Sequence, residues 1–151
     1  MILNVHATCI RVGKAGKRFG APPSAGILLL GKSGSGKSDL ALRLIALGAE
    51  LVSDDRTDLR VARGRLIASA PKSIAGLIEV RGVGIARMAH AARATIALAV
   101  ELDRKPQRLP EAARYRPLPA LAEGPRLIAL DAFEASAPLK VLVAAAGRLL
   151  R

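Results

Sequence analysis

Residues 26–38 read Gly-Ile-Leu-Leu-Leu-Gly-Lys-Ser-Gly-Ser-Gly-Lys-Ser, and no other stretch restricts the fold as strongly. An apolar run that ends in G-x-x-x-x-G-K-[ST] demands a buried strand, a glycine-rich turn and a helix in immediate succession, the P-loop arrangement. Gly31, Gly34 and Gly36 permit backbone conformations that a side chain would forbid. Successive amides from Ser33, Gly34, Ser35, Gly36, Lys37 and Ser38 can then face phosphate oxygens, helped by the positive end of the following helix dipole. In such a turn Lys37 reaches the β- and γ-phosphates, and the Ser38 hydroxyl ligates Mg2+.

Downstream, Leu40, Ala41, Leu44, Ile45 and Leu47 recur at helical spacing, and Gly48 is placed to end the helix. A short strand follows and ends in Asp54-Asp55. Strand, turn, helix and strand make a βαβ unit, whose carboxyl-end edge gathers the phosphate turn and the two carboxylates. Adjacent residues of an extended chain point to opposite sides, so the pair divides its roles: one toward the metal, the other toward an acceptor hydroxyl as general base. These segments predict an α/β fold with a P-loop and a mixed sheet, a single domain over residues 1–151.

Other segments carry less chemistry. Residues 2–12 read as a first strand, with His6 inside it as a structural residue. Between residues 13 and 24 the chain turns to Gly, Lys, Arg and Pro, the composition of an exposed, basic, mobile loop spanning a long hairpin. Residues 57–66 fit a hairpin about Arg63-Gly64, residues 76–85 one apolar strand with Glu79 and Arg81 on a shared face, and Gly82 and Gly84 a close backbone approach. Residues 96–102 and 126–130 read as strands on either side of a proline-rich connection, and residues 137–150 as a helix. His90, in an alanine-rich segment, is structural. One cysteine, Cys9, cannot form an intrachain disulfide, and the first residues lack the pattern of a signal peptide, so a cytoplasmic protein without membrane spans is expected. A net charge of +12 favours anions in general. The basic residues are dispersed, however, without an aromatic platform, which argues against nucleic acid as a partner.

Three segments together, His6-Ala7-Thr8-Cys9, the turn Gly31 to Ser38 with Leu51-Val52-Ser53-Asp54-Asp55, and Ile78-Glu79-Val80-Arg81-Gly82-Val83-Gly84-Ile85, resemble the HPr kinase/phosphorylase family in its short form, limited to the catalytic domain. The resemblance implies a fold similar to the nucleotide-binding core of phosphoenolpyruvate carboxykinase. It implies ATP- and Mg2+-dependent phosphorylation of a serine on the phosphocarrier HPr, and phosphorolysis of phosphoserine-HPr by inorganic phosphate to give pyrophosphate, by a homo-hexamer. Carried over by motif, Asp55 is the base, Asp54 its support, Ser38 and Glu79 serve the metal, Arg81 shapes the signature strand and His6 sits near the phosphoryl site. Arg126 is the candidate for the arginine that family members set against the phosphate. Two other readings compete. One is a P-loop kinase of small molecules, which would need a lid with clustered arginines. The other is a nucleotide-binding regulatory module acting through nucleic acid, whose binding would weaken steeply with salt.

Overall fold

The computed structural model describes residues 1–150. Its centre is strand β2 (Ala25–Leu30), whose apolar run has no alternation because both faces are covered. Ile27 and Leu29 face one core with Leu40, Leu44 and Val141, while Leu28 faces the other with Cys9, Val52 and Leu59. Strand β1 (Leu3–Arg11) runs antiparallel to β2. It also pairs with β3 (Glu50–Ser53) along its second half and with β4 (Arg56–Ala62) along its first. Strand β5 (Arg65–Ser69) returns from β4 through the turn at Arg63-Gly64, the expected hairpin. Further along the chain come the short β6 (Leu77–Val80) and β7 (Gly84–Arg87) and the long β8 (Arg93–Glu101). Strand β8 pairs with β5 and, in parallel, with β2, so β1, β2, β8, β5 and β4 close a ring of pairings. Strand β9 (Arg126–Ala129) adds to β8 in parallel.

Two helices cover the outer core. Helix α1 (Lys37–Ala46) buries Leu40, Ala41 and Leu44, and Gly48, at φ 117°, stops it where the Ala49 amide returns to the Leu44 carbonyl at 3.0 Å. Helix α2 (Ala137–Ala145) is shorter than the span expected from residues 137–150, because Gly147 follows it at φ 70°. No helix among the described residues is long and apolar enough to cross a membrane.

Two further expectations are corrected. Residues 13–24 are not a loose loop: Gly13–Phe19 forms a 3-10 helix against α2, with Gly16 and Ala21 buried, while Lys14, Lys17 and Arg18 and the following Pro22, Pro23 and Ser24 are exposed. Nor are residues 76–85 one strand. They form β6, a turn and β7, a separate two-stranded sheet, so Arg81 lies in the turn and shares no strand face with Glu79. Gly82 and Gly84, at φ 82° and 135°, serve that turn rather than a close approach, since nothing lies within 4 Å of a Cβ built on either.

The register explains the functional edge. Leu30, Glu101 and Ala129 stand side by side at the carboxyl ends of the parallel β2, β8 and β9. Strand β3, antiparallel to β1 like β2, ends at the same edge. Because β1 runs the other way and pairs Ala7 with Leu30, its early residue His6 arrives there too.

Candidate active site

Gly31 to Ser38 turns from β2 into α1, and Gly34 and Gly36 take φ 87° and 94°, left-handed values that glycine adopts without strain. Neither the Lys37 nor the Ser38 amide donates to a protein acceptor among the described residues, leaving both free for an anion at the helix N-terminus. Ser35 Oγ is buried without a partner. Lys37 is buried and donates to the Lys32 carbonyl at 3.1 Å, which curls its side chain over the turn. Burial pushes its ammonium pKa below the ordinary value, and Asp55, Asp54 and Asp103 oppose that push.

The two aspartates do divide. Asp54 is buried and accepts three bonds, from Ser38 Oγ at 2.5 Å, Thr8 Oγ1 at 3.0 Å and the Glu79 amide at 2.9 Å. It thereby fastens three separate segments, the first turn of α1, strand β1 and strand β6, to the end of β3. Asp55 is exposed, takes φ 65°, and holds His6 Nε2 at 2.7 Å. Its own amide donates to Thr8 Oγ1 at 3.0 Å. A non-glycine residue held in the left-handed region costs roughly 1 kcal/mol and marks a position fixed by its surroundings.

One cleft of about 320 Å³ gathers these groups, lined by Lys37, Ser38, Asp55, Glu79, Arg81 and Phe133 among others. Ser38 Oγ and the Glu79 carboxylate in the lining, with the Asp54 carboxylate behind Ser38, are oxygen donors that suit a hard divalent cation keeping waters and phosphate oxygens in its shell. The arrangement therefore has the parts of phosphoryl transfer: an amide-lined anion turn, a buried ammonium, oxygen donors and an exposed carboxylate oriented by an imidazole.

The HPr Serine kinase C-terminal domain family matches residues 23–110, more than half of the chain. The chain belongs to this family. Over 60 residues it is 53% identical to the HPr kinase/phosphorylase of Clostridium botulinum (strain Eklund 17B / Type B), which is 40% of this chain and 20% of that protein. Over 60 residues it is 52% identical to the HPr kinase/phosphorylase of Clostridium tetani, with the same coverage. The matched segment thus spans a fifth of the length of these relatives. The fold is also that of the Hpr(Ser) kinase/phosphatase from Coxiella burnetii, with a TM-score of 0.75 at 23% identity over 97% of this chain and 96% of that one.

Within this HPr serine kinase C-terminal domain, the cleft is lined by Ser33, Gly34, Gly36, Lys37, Ser38, Asp55, Glu79 and Arg81 of the residues singled out from sequence. Asp54 and His6 stand behind it, joined to Ser38 and Asp55, while Gly31 and Ser35 lie in the turn without lining the cleft, and Arg126 is apart from all of them. That arginine opens β9 opposite Leu98, at the strand end away from the turn Gly31 to Ser38. His90 pairs with Leu51 in an isolated bridge and stays outside the cleft. Sequence reading missed four contributors. Asp103, just past β8, accepts the Lys32 amide at 3.1 Å, and its signal was an apolar strand ending in acids beside the phosphate strand. Thr8 bridges the two aspartates. Arg43 and Phe133 carried no sequence signal, since their proximity arises only when residues 131–134 fold back onto α1.

Proposed function

We propose that this chain transfers the γ-phosphoryl group of ATP to a serine hydroxyl of the phosphocarrier HPr, and runs the reverse phosphorolysis of phosphoserine-HPr to pyrophosphate. The observation that carries the reading is the convergence of Ser38, Asp54, Asp55 and His6 beside the amides and ammonium of one anion turn. Amides along residues 33–38 and Lys37 would hold the phosphates, and Gly31 would begin the turn. Ser38 and Glu79 would hold Mg2+, with Asp54 orienting the Ser38 hydroxyl. When bound there, Mg2+ neutralises the charge of the transferred group. Asp55 would accept the proton of the attacking serine, with His6 fixing the carboxylate, and would return that proton in the reverse direction. Arg81, in the exposed turn at the rim, would face the incoming acceptor. Assembly as a hexamer, action in the cytoplasm and likeness to the phosphoenolpyruvate carboxykinase core belong to the same proposal.

Incubation with ATP, Mg2+ and HPr should add phosphate to one HPr serine, read by mass spectrometry. A second incubation of phosphoserine-HPr with inorganic phosphate should release pyrophosphate. Asp55→Asn should cut transfer by about a hundredfold or more while ATP affinity stays within about threefold. Full transfer by that variant would remove Asp55 as the base.

A further inference from the structure

The sequence holds only two phenylalanines, one tyrosine and no tryptophan, yet one of them, Phe133, is 69% exposed at the mouth of the cleft. Its ring edge lies against the phosphate turn, with Cζ at 3.3 Å and Cε1 at 3.4 Å from the position a Cβ on Gly36 would occupy. An aromatic ring left in water beside an anion turn gains nothing for the fold, and here the surrounding loop is tied down to keep it there. Arg43 of α1 donates to the carbonyls of Ala132 and Glu134, the residues on either side of Phe133, the latter at 3.1 Å. The same guanidinium is anchored on Asp39 at 3.0 Å, and the Phe133 amide donates to Asp131 at 2.9 Å.

Direction follows from charge and chemistry. If the acceptor meets the terminal phosphate at Asp55, the nucleoside end of the nucleotide must leave the turn on the side away from it, along the first turn of α1. On that side the cleft wall is Asp39, Leu42 and Phe133, one aliphatic and one aromatic surface. We propose that Phe133 is the stacking platform for the nucleobase, and that Arg43 is the positioning residue that presents it. The inference rests on the ATP-binding reading above and deepens it by naming the group that distinguishes a nucleotide from its phosphates.

The test compares ATP with inorganic tripolyphosphate, which offers the same anion without a base, by calorimetric titration of the full chain. Phe133→Ala should weaken ATP about tenfold or more and leave tripolyphosphate within about twofold, the size of a lost base-aromatic stack. Arg43→Ala should weaken ATP in the same selective way. Because the chain lacks tryptophan, Phe133→Trp supplies a single reporter that should keep ATP affinity, with emission quenched by ATP but not by tripolyphosphate. Equal losses for both ligands in Phe133→Ala, or unchanged ATP affinity, would overturn the platform. So would normal nucleotide binding with a raised KM for the protein acceptor, which would make the ring an acceptor contact. Failure of the unaltered chain to bind either ligand would instead overturn the ATP-binding reading beneath it.

Discussion

Asp54 and Asp55 are neighbours of one chemical type, and the structure assigns them unequal stability effects. Asp54→Ala strands the Thr8 hydroxyl in buried surroundings and the Glu79 amide in half-buried ones, while the Ser38 hydroxyl can turn to water in the cleft. At about 1–3 kcal/mol for the buried hydroxyl and less for the half-buried amide, the loss is about 1–4 kcal/mol. For a domain of this length each kcal/mol moves Tm by about 2–4 °C, so a drop of several degrees is expected. The Asp55 contribution is different. Its pair with His6 is largely exposed, with side chains 34% and 60% accessible for His6 and Asp55, and contributes under about 1 kcal/mol. Its φ of 65° favours glycine. Asp55→Gly should therefore be more stable than Asp55→Ala by about 1 kcal/mol, since both lose the His6 contact and only alanine keeps the strain. Urea unfolding of the three variants beside the unaltered chain reads all of this at once. An Asp54→Ala cost below about 1 kcal/mol would mean that the three bonds do not hold β1, β6 and the phosphate turn together, and the reverse Gly/Ala order at 55 would refute the left-handed backbone.

Lys37 titrates below its ordinary value of 10.5 because it is buried, so its charged form is penalised at low pH and the penalty lifts as pH rises through the window below 10.5. A bound anion reverses this by favouring the ammonium, so tripolyphosphate binding should take up protons increasingly as pH approaches that window. Calorimetry in buffers of different ionisation enthalpy measures the uptake, and Lys37→Arg should abolish it because arginine stays charged. In the inner core, Leu28→Ala should cost about 2–5 kcal/mol in chemical denaturation, since Leu28 is fully buried, while Leu47→Ala, 46% exposed, should stay within about 0.5 kcal/mol. Equal midpoints for the two variants would refute the assigned core.

The local chemistry of the site was legible because it is written in consecutive residues. Gly31 to Ser38 dictates its own turn through glycine conformations, β2 declares its burial by an unbroken apolar run, and Asp54-Asp55 at a strand end within a βαβ unit can only reach the edge that bears the turn. The sequence also leads to the expectation that Asp54 and Asp55 divide, and they do, although the chain achieves it by a bend past the end of β3 with Asp55 at φ 65° rather than by strand alternation. Tertiary structure alone decided the rest. The closed ring of strands depends on β2 finding β8, which no local signal encodes. The 3-10 helix Gly13–Phe19 is ordered because α2 packs on it, against a composition that reads as loop. Arg126 left the site and Phe133 entered it for the same reason: proximity to a phosphate turn is fixed by strand register and by Arg43 gripping residues 131–134. Backbone preferences act between neighbours in the chain, and sequence carries them. Contacts between distant segments exist only once the hydrophobic cores have chosen which faces meet.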